Sequence, residues 1–131
     1  MRDHHDEVSE MTIGQVAKAT GVSASAIRFY ESSGVLPPPR RNRGIRQYDP
    51  AIVEHITVVR FFRSSGVSVE SLATMFGPDR TARRKNRHAA VARRISELDE
   101  MIAHARKIKK QLQGLLACEC HGDTKKCVIF A

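Results

Sequence analysis

The chemistry of this chain gathers near its C-terminal end, in the stretch ACECHGDTKKCVIF at residues 117–130. All three cysteines lie there: Cys118, Cys120 and Cys127. Cys120 and Cys127 enclose six residues, and Gly122-Asp123 between them lets the chain turn back, so that two sulfurs can meet on one ion. Thiolates are soft donors and suit Cu(I), Zn(II), Cd(II) or Hg(II). Cys118 is a candidate third donor. Three cysteines do not close a disulfide framework. The N-terminal MRDHHDEVSE has no apolar segment of the kind that directs export, so the expected compartment is the reducing cytoplasm. There, clustered cysteines are more often ligands or redox groups than staples.

The remainder must position that tail. The chain has 131 residues, with 22 Lys and Arg against 14 Asp and Glu, a formal net charge of +8. Such a surplus suits a polyanionic partner through counterion release. No apolar run reaches the ~18 residues of a membrane span. No Ser/His/Asp constellation, phosphate loop or carboxylate pair stands out, so the chain does not read as an enzyme.

Thr12–Thr20 and Ser23–Ser32 read as a helix pair, with Thr12 and Ser23 as N-caps. Between them Thr20-Gly21-Val22 forms a turn. A helix-turn-helix needs a small residue where the helices cross, a residue tolerant of positive φ in the turn, and an apolar residue locking the second helix. Ala17, Gly21 and Ile27 supply these. The second helix offers Ser23, Ser25, Arg28 and Tyr30 to a major groove. A Pro-rich basic loop follows, and then Ile45-Arg46-Gln47-Tyr48, whose alternation suits a short β-ribbon, or wing. Arg40, Arg41, Arg43 and Arg46 are placed to follow phosphates or enter the minor groove. Tyr48 has two readings, a DNA contact or a ring that covers the core.

Pro50 starts a third helix with a core stripe of Ile52, Val53, Ile56, Val59 and Phe62. Ser68 caps a fourth, with Val69, Leu72, Ala73 and Phe76 expected inside. From Val91 the apolar residues fall into two heptad columns: Val91, Leu98, Ala105, Leu112 and Ile95, Ile102, Lys109, Leu116. Seven of these eight are apolar. A helix over 80–117 would be roughly 57 Å long, and a domain of some 65 residues cannot cover its seam. A second copy can, which implies a homodimer and a roughly palindromic DNA site.

The expected fold is therefore mainly α. It comprises a disordered tail (1–10), a winged helix-turn-helix DNA-binding domain (11–78), an antiparallel coiled-coil dimerisation helix (79–117) and an effector-binding loop with the C-terminus (118–131).

MTIGQVAKATGVSASAIRFYESSGVLPPPRRNRGIRQYD at 11–49 resembles the MerR family of bacterial transcription regulators. Ala-Ile-Arg-Phe-Tyr-Glu at 26–31 and Arg-Gln-Tyr-Asp at 46–49 carry most of the likeness. Val-Arg-Phe at 59–61 and Ser-Ser-Gly-Val-Ser at 64–68 extend it, and the likeness covers residues 11 to about 127. It implies a dimer that binds promoter DNA together with RNA polymerase and activates transcription by distorting the DNA when its effector binds. Arg28, Tyr30 and Arg46 would contact DNA. The short cysteine loop after the coil is similar to that of the metal-sensing branch, whose members respond to mercury, copper or zinc. Divalent-metal sensors of the family usually add a cysteine from the start of the partner's coil, where this chain has Arg84 with Thr81 and His88 nearby. That tilts the reading toward Cu(I). The family's superoxide sensor holds an iron–sulfur cluster on four tail cysteines, and Cys118-x-Cys120 with Cys127 resembles three of those four. A cluster or a thiol redox switch is thus the rival reading. An interaction protein of coiled-coil type that binds no DNA is the alternative of another class. Salt-sensitive binding to a palindromic duplex separates it from a regulator.

Overall fold

The structure, a computed structural model, describes residues 9–119 and 121–127. The tail expected over 1–10 therefore lies mostly outside the described residues, and so does Cys120.

Among the described residues, five helices and one hairpin follow in order: α1 (Ile13–Thr20), α2 (Ala24–Ser32), β1 (Arg40–Asn42), β2 (Ile45–Gln47), α3 (Ile52–Ser64), α4 (Val69–Met75) and α5 (Arg80–Leu116). Local chemistry sets the ends. Thr12 and Gln15 form a reciprocal capping box at the start of α1, which satisfies two backbone donors that the first turn cannot pair. Gly21 ends α1 with φ 71° and donates its N–H to the Ala17 carbonyl. Any side chain would strain that left-handed conformation. Ser23 and Ser68 cap α2 and α4 through their hydroxyls. Asp79 Oδ1 accepts from the N–H groups of Thr81 and Ala82 at the start of α5.

β1 and β2 pair antiparallel, with Arg40 opposite Gln47 and Asn42 opposite Ile45. The two linking residues, Arg43 and Gly44, have φ of 51° and 78°. Tight hairpins favour positive φ at both positions because it matches the strand twist. The basic run read as loop thus supplies the first strand of the wing. Beyond β2, Tyr48 exchanges both backbone hydrogen bonds with Met11 at 2.8 and 2.9 Å, which ties the wing to the start of the domain.

Two compact units divide at Val91 and Ala92. The first has a core in which Val16, Ile27, Val35, Ile56, Val59 and Leu72 are fully buried. On α4 the buried pair is Leu72 and Met75, whereas Ala73 and Phe76 are half-buried. Phe76 instead packs against His55 in a tilted arrangement, with ring centroids 4.5 Å apart. The first turns of α5 belong to this unit. Ala90 joins its core, and Asn86 Nδ2 donates to the Thr74 carbonyl at 3.1 Å.

The second unit is the remainder of α5 and the loop after it. Leu98, Ile102 and Leu112 of the heptad columns are exposed. The Ala117 and Cys118 N–H groups bond back to Gln113 and Leu115 carbonyls, closing the helix. His121 and Gly122 then turn the chain with positive φ. Asp123 accepts from the Lys125 N–H on its carboxylate and from the Lys126 N–H on its carbonyl.

Candidate nucleic-acid interface and thiol loop

α2 buries Ile27 and turns its opposite side outward. At 3.6 residues per turn, Ser25, Arg28, Phe29 and Ser32 share that outward face, and all four are exposed. Ser23 sits at the N-terminal end, its hydroxyl accepting from the Ala26 N–H at 3.1 Å. Tyr30 is half-buried and packs against the core. Its carbonyl accepts from the N–H groups of Val35 and Leu36, so it shapes the turn after α2 as well as reaching its surface. Phe29 escaped the sequence reading as a site residue. It is 54% exposed beside Ser25 on that face, and helical spacing from Ser25 was the available signal.

The wing carries its charge on the outside. Arg40, Arg41 and Arg43 are exposed. Arg40 reaches Glu10 at 3.5 Å, an open contact with the Arg40 side chain 85% exposed. A pair of that kind holds a guanidinium only weakly. Arg46 differs. Its Nε donates to Glu31 Oε2 at 3.2 Å, and both side chains are largely covered. Tyr48 donates its hydroxyl to the other oxygen of Glu31. The tyrosine is 3% exposed and belongs to the core cluster, so of its two readings the structure supports the ring that covers the core. Burial first, then the hydrogen bond to Glu31 and its charge, push the phenol well above its ordinary value. Arg46 and Arg28 pull the other way.

Glu31 is therefore the link between α2 and the wing. An acid at the C-terminal end of a helix opposes the helix dipole, so it calls for a cationic partner. Arg46 and Tyr48 are two apart on an extended segment and so face the same side. That pairing of patterns was present in the sequence and went unread.

A second link runs from α3 to the turn. Arg60 donates to the Thr20 carbonyl, placing a positive charge at the C-terminal end of α1, where the dipole favours it. It fixes the helix-turn-helix against α3. Nearby, burial pushes the His55 imidazole below its ordinary value, with a weaker opposing effect from the Val35 backbone. His55 Nε2 is buried without a hydrogen-bond partner.

In the second unit, Cys118 is half-buried and Cys127 is 7% exposed. Residues 121–126 between them are all exposed. Among the described residues, no group of three or more His, Cys, Asp or Glu side chains is gathered to hold a metal ion. Among the same residues, no helix is long and apolar enough to cross a membrane.

A capped helix pair with a turn glycine, a basic hairpin locked to its second helix, and a long helix after the domain define a winged helix-turn-helix regulator. Residues 11–77 match the model of the MerR helix-turn-helix family of regulatory proteins, and the chain belongs to that family of transcriptional regulators. It is 40% identical over 93 residues to the HTH-type transcriptional regulator AdhR of Bacillus subtilis (strain 168), covering 66% of each chain. It is 33% identical over 118 residues to heavy metal-dependent transcription regulator 2 of Rhizobium meliloti (strain 1021), covering 88% of this chain and 80% of that one. Its fold matches the transcription regulator PbrR691 from Ralstonia metallidurans CH34, solved in complex with lead(II), with a TM-score of 0.60 at 21% identity. That likeness covers 92% of this chain and 96% of the other.

Proposed function

We propose that this regulator is a homodimeric, cytoplasmic sensor of a thiophilic metal ion. Cys120 and Cys127 bind the ion, Cys118 is available as a third donor, and binding activates a promoter by distorting its DNA together with RNA polymerase. The observation that carries the reading is the burial of Cys127 at the end of a loop whose other described residues face solvent. A loop of Lys, Thr, Asp and Gly gains little by hiding one side chain, and a thiol is the side chain that a soft ion needs dry. Metal binding deprotonates a coordinating thiol outright, so burial does not bar Cys127 from the role. The Asp123 turn brings the chain back after Gly122, and the C-terminal end of α5 offers its carbonyls to a cation. The R. meliloti relative, a heavy metal-dependent regulator by name, supports the same class of effector.

On the DNA side, Arg28, Ser25 and Ser23 of α2 enter the major groove, while Arg40, Arg43 and Arg46 of the wing hold phosphates. Tyr30 braces the end of α2 against the backbone.

The test is made on protein purified without oxygen. Absorption spectra and elemental analysis come first, then titration of Cu(I), Zn(II), Cd(II) and Hg(II) in competition with a small thiol. Tight binding of one ion to a colourless protein supports the metal reading. Stoichiometric iron and sulfide with visible bands would replace it with the cluster.

A further inference from the structure

The tip of the wing carries an apolar side chain that the fold leaves uncovered. Ile45 is 63% exposed. It stands opposite Asn42 on the last rung before the Arg43-Gly44 turn. We infer that Ile45 and Asn42 enter the DNA minor groove next to each half-site and select A·T pairs there. This goes beyond the phosphate contacts assigned to the wing arginines above and rests on that placement of the wing.

Strand geometry decides which side chains share a face. Residues opposite one another in an antiparallel pair stand on one face, and neighbours along a strand alternate. Arg41 and Arg46 are therefore on one face, and Asn42 and Ile45 on the other. The first face has its partners. Arg46 is bonded to Glu31 of α2, and Arg41 Nη1 donates to the Gly44 carbonyl at 3.2 Å across the turn. On the second face Gln47, farther from the turn, is half-buried, so Asn42 and Ile45 are what that face offers at the tip. Whatever covers Ile45 must also suit its surroundings. Arg40, Arg41, Arg43 and Arg46 lie within one short run that contains no acid. An apolar protein surface would have to strip water from those guanidiniums, at a high cost, whereas DNA phosphates pair with them.

The minor groove has a floor that suits both side chains. With α2 in the major groove, the bond between Glu31 and Arg46 carries the wing alongside it, to the groove next along the backbone. The minor groove is about 6 Å wide and admits single side chains rather than a whole ribbon. Isoleucine is among the apolar residues that proteins set into it. At an A·T pair the floor presents only acceptors, adenine N3 and thymine O2, to which the Asn42 amide can donate. A G·C pair adds the guanine N2 amino group. Set against Ile45, that donor would lose its water and gain no acceptor. Phosphates carry no such distinction, so the preference belongs to the tip and not to the arginines beside it.

In the test, full-length protein selects its operator from a pool of random-sequence duplexes. Pairs flanking the half-sites are then replaced by G·C, and separately by inosine·cytosine, which shows the minor-groove face of A·T and the major-groove face of G·C. Fluorescence anisotropy reads the dissociation constants. A·T pairs should be enriched beside the half-sites. Replacing one by G·C should weaken wild-type binding about tenfold, and inosine·cytosine should restore it. Ile45→Ala, checked for native melting, should weaken binding to the A·T duplex and bring the ratio of A·T to G·C affinity close to unity, while Ile45→Val keeps most of that ratio. A wild-type protein indifferent to the flanking pairs, or the same ratio in wild type and Ile45→Ala, overturns the inference. Inosine·cytosine bound as weakly as G·C also overturns it, because the readout would then lie in the major groove. In each of these cases a lowered salt slope in Arg40→Ala and Arg43→Ala leaves the wing on the DNA backbone. An unchanged slope in both variants removes the wing from DNA, and the inference with it.

Discussion

Glu31 and Arg46 meet at 3.2 Å, one near the end of α2 and the other in the middle of β2. The same carboxylate takes the Tyr48 hydroxyl. Because Tyr48 is buried, loss of Glu31 would leave that hydroxyl without its acceptor, at a cost of about 1–3 kcal/mol.

That contact sets up a prediction with opposed signs. Removing an acid from a DNA-binding surface should raise affinity if only charge matters. We expect Glu31→Ala to lower it, because Arg46 and the wing lose their anchor. We also expect the thermal midpoint to fall by about 4–8 °C for each kcal/mol lost. Tighter operator binding by the variant would show that Glu31 does not position the wing.

The wing arginines should separate by salt dependence. Arg40→Ala and Arg43→Ala each remove an exposed guanidinium, so each should weaken operator binding and reduce the slope of log affinity against log salt by about 1. Neither should lower stability, and Arg43→Asn should raise it slightly, since Asn tolerates the φ of 51° at that position better than Arg does. Arg46→Ala should cost both affinity and stability. Fluorescence anisotropy over a salt series, with melting curves alongside, reads both quantities. Equal loss of stability in all three alanine variants would count against this division.

Much of this arrangement was legible beforehand, and the reason is local. Thr12, Gly21, Ser23 and Ser68 announce helix ends through hydrogen bonds made within a few residues of themselves. Arg40–Asn42 was not legible as a strand. Its partner is what makes it one, and neither its basic side chains nor the prolines before it mark a β pattern. Tyr48 carried two readings because its ring suits both surfaces, and burial alone decides between them. The contact of Arg60 with Thr20 spans 40 residues, and no spacing rule reaches that far. The thiol loop is legible as chemistry. Its described part shows why it turns, through Asp123 and Gly122.

His55 should make the DNA-binding unit sensitive to acid. Burial against Phe76 pushes its folded value below the 6.5 of the free side chain. The neutral form is therefore favoured in the folded state, and its stabilising effect is complete above pH 6.5. That contribution is lost as the pH falls from 6.5 through the folded value, at no more than about 1.4 kcal/mol per pH unit. Wild type minus His55→Leu, compared by melting at pH 5 to 8, isolates this group from the carboxylates. A difference that does not change across that range would remove His55 as the cause.

Under the proposed function, substitution of Cys127 should separate sensing from DNA binding. Cys127 lies in the second unit, and the exposed residues of α2 and the wing proposed to meet DNA lie in the first. Cys127→Ser should therefore leave operator affinity within about twofold while abolishing metal-dependent activation in a reconstituted transcription assay. Cys120→Ser should match it. Cys118→Ser should weaken the response without abolishing it, since two thiolates suffice for a linear Cu(I) site and the third donor is an addition. Serine keeps the size of cysteine but is a hard, protonated donor at neutral pH, so the substitution removes the ligand with little disturbance of the loop. Loss of operator binding in Cys127→Ser would make the buried thiol a structural element of the dimer. A full response retained in Cys127→Ser together with loss in Cys118→Ser would move the site to the Cys118-Glu119-Cys120 segment.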